Sequence, residues 1–403
     1  MLSEDAIENL IQPLLDRQER INVYAIRKIA AEIKRIGELT PSSLHTLERL
    51  YKTGSDVREI NKEIARLTGL QVVEVKKIIK TVALAGYLDT KPFFDYRHKS
   101  FIPFAKNKAL QNIVNAIANQ TAGEYTNLAK AQAFMIRDLK NPKKLVPTSV
   151  AKTYQTVVDE AIQAVQTGVV DYNTAMRRTL SQLADSGLRV TYQGEDGKVR
   201  TQRMDTAVRR NILDGVRAIN QGVQDEVGRQ FGADGKEITV HAFSAPDHEP
   251  IQGHQFSNEE FDKLQNERSF TDAQGRHFKA IKRAIGVWNC RHFTYSIILG
   301  HSKPLYTDEQ LEQFKENNAK GYTLPSGRHL TMYECTQYQR QLETKIRYAK
   351  EGKIAADYAG DAVKGAEYVA KVSKLMKDYR TFSKNCGLSQ KLDRIRVEGY
   401  TDK

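Results

Sequence analysis

Six of the nine histidines, His241, His248, His254, His277, His292 and His301, fall between residues 240 and 305, with Cys290 and the only tryptophan, Trp288. The segment opens on VHAFSAPDHEPIQGHQFS and carries GVWNCRHF about thirty residues later. His248, His254, Cys290 and His292 offer four donors of the kind that zinc takes. Structural zinc sites, however, usually bring ligands in close pairs of CxxC type, and catalytic ones carry HExxH; neither pattern is present. The expectation is therefore no bound metal and no cofactor. Cys290 beside His292 also suggests a thiol–imidazole nucleophile, with His248 or His254 as the alternative base. No glycine-rich oxyanion loop accompanies it. Asp247 and His248 suit a metal-dependent nuclease, but their spacing singles out nothing. The remaining reading is structural. Asp247-His248-Glu249-Pro250 and Gln252-Gly253 make a turn-rich loop, where proline fixes φ and glycine supplies positive φ. Its imidazoles and carboxylates would satisfy buried backbone groups, and Trp288, Phe293 and Tyr295 would supply a small core. PDHEPIQGH and NCRH then clasp each other to close a small α/β module, and no catalytic residue is assigned.

The elements that must hold this segment are mostly helical. In VYAIRKIAAEIKRI, Ile26, Ile29, Ile33 and Ile36 recur at helical steps. Thr40 and Pro41 read as an N-cap and first helical residue. VREINKEIARLTGLQVVEVKKIIK has the layout of a helix-turn-helix, with Gly69 in the turn and residues 72–80 as second helix. Val72, Val73, Glu74 and Val75 stand where a recognition helix needs polar side chains, so an αα-hairpin is expected. Residues 105–185 read as continuing helix, including TYQTVVDEAIQAVQTG and DYNTAMRRTLSQLADSG, each ended by glycine. LRVTYQ and KVRTQRM form a β-hairpin across GEDG. A long helix starts at Asp205, and KEITVHAF is a strand that leads into the histidine-rich segment. A short helix, TDEQLEQFKENNAKG, and a hairpin around LPSG follow. Thr331 and Glu334 make a capping box for the next helix. The last helix carries Tyr368, Val372 and Met376 on one face. The fold class is mainly α (α+β): a helical region over 1–90, a basic helical region over 91–185, a central α/β module over 186–305 and C-terminal helices over 306–403.

The chain has 403 residues and a net charge of +13. No apolar run is long enough to span a membrane. The start, MLSEDAIENLIQPLLD, lacks the basic-then-apolar layout of a signal peptide. Cys290, Cys335 and Cys386 give no disulfide framework, which fits a reducing compartment. The positive charge concentrates in residues 91–152, where Lys106, Lys108, Arg137, Lys140, Lys143 and Lys144 stand among eleven cations against Asp95, Glu124 and Asp138. Phe93, Phe94, Tyr96, Phe101 and Phe104 are interleaved at its start. Such a segment suits a polyanion, either nucleic acid or an acidic protein ring.

The order of several motifs resembles that of the tailed-bacteriophage minor capsid protein family. They are YNTAMRRTLSQLADSGLRVTY, DTAVRRNILDGV, SAPDHEPIQG, AIGVWNCRHFTYSIILGHSKPLY, QYQRQLETKIRYAKEGKIAA and YRTFSKNCGLSQKLDRIRVEGY. The resemblance spans nearly the whole chain. His248, Gln252, Gly253, Asn289, Cys290, Arg291 and His292 occupy the family's marked positions, which carry no established catalytic role. Ile251 stands where the family usually has tryptophan, and the family's loop arginine is missing, so no role is carried over from either. The resemblance implies a non-enzymatic minor head protein, present in few copies and bound to the portal protein inside the head. There it would support head assembly, DNA packaging or ejection. Its implied partners are portal, scaffold or major capsid protein and, non-specifically, genomic DNA, with no membrane. It would reside in the virion near the portal vertex after assembly in the host cytoplasm, and no C-terminal toxin domain is expected. Two alternatives belong to other classes: a Cys/His- or metal-dependent hydrolase or nuclease acting during infection, and a non-specific DNA-binding protein.

Overall fold

The computed structural model describes residues 4–37, 55–138, 141, 144–167, 183, 187–193, 198–266, 268–287 and 290–401. In chain order the elements begin with α1 (Glu4–Gly37), α2 (Ser55–Leu88), α3 (Lys91–Tyr96) and α4 (Lys108–Lys130). Then come β1 (Ala133–Arg137), β2 (Leu145–Ser149), α5 (Val150–Thr167), β3 (Arg189–Gln193), β4 (Val199–Arg203) and α6 (Met204–Phe231). The histidine-rich part holds β5 (Gly235–Ile238), β6 (Gln255–Ser257), α7 (Asn258–Gln265), β7 (Phe270–Thr271), β8 (His277–Phe278) and β9 (Thr294–Ile297). The chain continues with α8 (Asp308–Lys320), β10 (Tyr322–Thr323), β11 (His329–Leu330), α9 (Met332–Ala359) and α10 (Ala362–Asn385). The protein is mainly α with a small α/β part, as its sequence pattern suggests.

The chain divides into two units. The first comprises residues 1–11, 73–124 and 209–337, and the second residues 12–72, 125–208 and 338–403.

In the second unit α1 buries Ile26, Ile29, Ile33 and Ile36, the stripe read from the sequence. A four-stranded antiparallel sheet has the order β2-β1-β3-β4. The β3–β4 hairpin pairs Arg189 with Arg203 and Gln193 with Val199; its GEDG turn lies outside the described residues. β1 and β2 correct the helical reading of residues 131–149. β2 contains Pro147, which cannot donate to a ladder, and it accordingly lies at the sheet's edge, opposite Met135. α9 and α10 approach closely at Gly352, where a Cβ would lie 2.3 Å from Tyr368 Cε1. Tyr368 and Val372 are buried there with Met376 packed against them, the face expected of α10.

α2 corrects the expected αα-hairpin: residues 55–88 form one helix. Ile60, Leu67, Gln71, Val75, Ile78, Ile79 and Val82 are buried at helical spacing on both sides of Gly69. An uninterrupted stripe outweighs the ~1 kcal/mol that one internal glycine costs. Thr40 and Pro41, and most of DYNTAMRRTLSQLADSG, lie outside the described residues.

In the first unit β5 is the centre of a three-stranded antiparallel sheet of order β6-β5-β9. Its apolar side is filled by Phe256, Phe270, Phe278, Ile238, Ile251, Leu264 and Ile281. The ring pairs Phe256–Phe278 and Phe270–Phe278 stand 4.9 and 5.5 Å apart. These phenylalanines make the small core, whereas Phe293 and Tyr295 are half-buried and Trp288 lies outside the described residues. α7 starts on a Ser257/Glu260 capping box and α8 on a Thr307/Gln310 box. Thr331 and Glu334 exchange the two hydrogen bonds expected of them, at 2.9 and 3.2 Å.

Candidate functional site

Strand register explains why two segments some forty residues apart in sequence meet. β5 and β9 run antiparallel with Ile238 opposite Thr294. Residues following β5 therefore lie across from those preceding β9, and the ladder extends one step further: Thr239 N–H donates to the Phe293 carbonyl and Phe293 N–H to Thr239 Oγ1. This brings the loop 239–254 over Cys290 and His292.

The loop is folded by its own backbone. His248 and Glu249 N–H both donate to the Ala245 carbonyl, and Ile251 and Gln252 N–H to the His248 carbonyl. Gly253 then turns at φ +75°, donating to the Ile238 carbonyl as the chain enters β6. Any Cβ there would meet Leu311 Cδ2 at 2.4 Å. α8 ties the loop down from outside. Asn318 Nδ2 donates to the Ser244 carbonyl and to Glu249 Oε1, and its Oδ1 accepts from Tyr333 N–H.

Inside the loop, His248, Cys290 and His292 converge, each 3 % exposed or less. Cys290 Sγ lies 3.3 Å from His248 Nδ1 and 3.5 Å from His292 Nδ1. The far nitrogen of each ring is anchored. His248 Nε2 is 2.8 Å from the Arg283 carbonyl, and His292 Nε2 is 3.2 Å from Gln252 Oε1. Gln252 Oε1 also accepts the His241 backbone N–H, and the His241 ring lies 4.3 Å from that of His292. Arg283 is held by a two-pronged pair with Asp247, at 2.9 and 3.1 Å.

Burial, reinforced by neighbouring cationic groups, lowers the pKa of His241 to about 3 and that of His292 to about 2, so both rings are neutral. Burial also opposes charge on His248, but the Cys290 hydrogen bond and charge outweigh it and raise this pKa. For Cys290, burial raises the thiol, and the His248 contact more than offsets it, so the net shift is downward.

Of the candidate donors, His248, Cys290 and His292 are brought together, with ligand atoms within 4.8 Å of one another. His254 is not among them. It is turned towards Arg276, at 3.0 Å, and lies against the Phe278 ring. Gln252 and Gly253 shape the cluster, Arg291 is half-buried beside it, and Asn289 lies outside the described residues. A cleft of about 770 Å³ borders the loop, lined by Pro246, Asp247, Pro250, Arg283 and Tyr333 among others. Cys290, His248 and His292 are not in its wall, so a substrate in the cleft would not meet the thiol. Sequence reasoning missed Asn318, Arg283 and Ser244, each an ordinary polar residue whose role comes only from the tertiary approach of another segment.

The basic residues Lys106, Lys108, Arg137 and Lys144 are exposed, while Lys140 and Lys143 lie outside the described residues. Lys106 and Lys108 belong to the first unit, Arg137 and Lys144 to the second. The interleaved aromatics divide in role. Phe94 is buried edge-on against Phe231, Phe101 stacks on Tyr87 and Phe93, partly exposed, lies against Phe231, whereas Tyr96 is largely exposed. No helix among the described residues is long and apolar enough to cross a membrane.

The described part of the chain is mainly helical, its three cysteines are buried, and the chain carries a net charge of +13. A model of the phage minor capsid protein 2 family matches residues 2–384, and the chain belongs to that family. No curated protein and no solved structure matches it.

Proposed function

We propose that this minor capsid protein sits in few copies inside the phage head, bound to the portal ring, and supports head assembly, DNA packaging or ejection. The carrying observation is the exposed basic set of Lys106, Lys108, Arg137 and Lys144 in a capsid-family chain of net charge +13. Such groups meet acidic protein surfaces through steering and ion pairing, and packaged DNA through counterion release. The clasped loop serves to hold the first unit in one shape. Mass spectrometry of gradient-purified particles and low-symmetry imaging of the portal vertex test the reading. A low-copy signal at the inner portal face is the expected result. Particles that lack the chain, or carry it only distributed over the shell, overturn it.

A further inference from the structure

The His248–Cys290–His292 cluster has more hydrogen-bond acceptors than protons. The Arg283 carbonyl can only accept, so the proton of neutral His248 sits on Nε2 and its Nδ1 presents a lone pair to Cys290. Gln252 Oε1 is fixed as the oxygen end of its amide because it accepts the His241 backbone N–H. His292 Nε2 donates to it, the Ser244 hydroxyl 3.4 Å from the same nitrogen turning its own proton to the Ala245 carbonyl, and His292 Nδ1 also turns a lone pair towards Cys290. One thiol proton cannot satisfy both nitrogens. In addition, His241 Nδ1 is buried with no hydrogen-bond partner among the described residues, in the ring next to His292. Buried lone pairs without protons are uncommon in folded proteins.

We propose that His248 Nδ1, Cys290 Sγ and His292 Nδ1 bind a single zinc ion, that His241, outside the set of converged ligand atoms but with its ring 4.3 Å from that of His292, turns in as the fourth donor, and that this ion rivets the loop 239–254 to the strand that begins at Thr294. Binding exchanges the thiol proton, released to solvent, for a metal–sulfur bond, and both imidazoles keep their protons on Nε2. Zinc–sulfur and zinc–nitrogen bonds of about 2.3 and 2.05 Å at a tetrahedral angle set sulfur and nitrogen about 3.5 Å apart. The observed separations are 3.3 and 3.5 Å. The remaining ring nitrogens of His248 and His292 donate to a backbone carbonyl and a side-chain amide, the outer support that metal-bound histidines usually have. A four-ligand, buried site of this kind is structural, consistent with a thiol that does not reach the cleft.

Elemental analysis of the full chain, purified without an affinity histidine tag, is expected to give about one zinc per chain. Cys290→Ser and His248→Ala lose it, His254→Ala keeps it, and His241→Ala binds at least tenfold more weakly. Since the first two variants can fail to fold, wild-type protein stripped by chelator and reloaded with cobalt(II) provides the second measurement. Sulfur-to-cobalt charge transfer with the visible bands of tetrahedral cobalt supports the site. Metal-free protein that takes up neither zinc nor cobalt, or Cys290 alkylation equally fast with and without zinc, overturns it. Undiminished affinity in His241→Ala overturns the fourth-ligand assignment.

Discussion

In the second unit, five charged side chains meet out of water. Arg203, 5 % exposed, makes a two-pronged pair with fully buried Glu351 at 2.7 and 3.2 Å and reaches Asp205 at 3.1 Å. Arg347 pairs with Asp205, and the Arg203 guanidinium lies 4.7 Å from the centre of the Tyr348 ring. Glu19 is the third carboxylate against two guanidiniums. It approaches Arg203 only to 3.7 Å, and its Oε1 has no hydrogen-bond partner among the described residues. Burial, then the Glu351 charge, raise its pKa to about 7; Arg203 and Arg347 pull it down, and Asp16 adds a smaller upward push. Protonated, Glu19 leaves the cluster neutral.

The folded chain therefore holds a proton between pH ~4.5 and ~7 that the unfolded chain has released. More protons bound in the folded state means that stability falls as pH rises through this window. A shift of about 2.5 units corresponds to roughly 3 kcal/mol, lost in full only above pH ~7. Glu19→Gln keeps the shape of the protonated acid and removes the titration. Its stability should match the wild type at about pH 5 and exceed it by about 3 kcal/mol at about pH 8.5. Amide hydrogen exchange of peptides from α1 and α9, compared at equal pH, reads this locally without assuming that both units unfold together. The variant should be protected roughly a hundredfold better at the higher pH. A wild-type-to-variant ratio that stays constant between the two pH values refutes the protonated state of Glu19.

The same cluster predicts the opposite outcome for its central anion: Glu351→Gln breaks the two-pronged pair and should destabilise the second unit by ~3–5 kcal/mol, seen as an earlier denaturant transition. Gly253→Ala combines a positive φ with a 2.4 Å approach to Leu311. It should lower stability by about 2–4 kcal/mol and lead to faster proteolysis in the loop 239–254. Neutralising Lys106, Lys108, Arg137 and Lys144 together should reduce the salt slope of DNA binding by up to ~0.9 for each phosphate left without its cation, measured by titration at several salt concentrations. An unchanged slope assigns these residues to a protein surface instead.

What was legible in the sequence follows from the range of the forces involved. The stripe Ile26-Ile29-Ile33-Ile36, the Thr331/Glu334 box and the β3–β4 hairpin depend on residues within a turn or two of each other, so their pattern is written locally. The same local reading failed at Gly69, because a glycine breaks a helix only when no buried stripe continues through it, and here Val75, Ile78 and Ile79 carry it on. It failed again at β1 and β2, where five-residue strands, one of them containing Pro147, give too short an alternation to stand against flanking helices. The histidine-rich site shows both regimes. Gly253 could be picked out because a turn needs it, and His248, Cys290 and His292 because their chemistry is uncommon. Which of them touch was decided by the pairing of Ile238 with Thr294, a register that neither strand carries alone. That register leaves His254 outside the cluster, on the β6 side of Gly253 facing Arg276, and sets the His241 ring beside that of His292. A one-residue slip of β9 would turn His292 to the other face of the sheet and dismantle the site. The loop's contacts therefore do more than close the module: they select one strand register, and the buried imidazoles gain their partners only in that register.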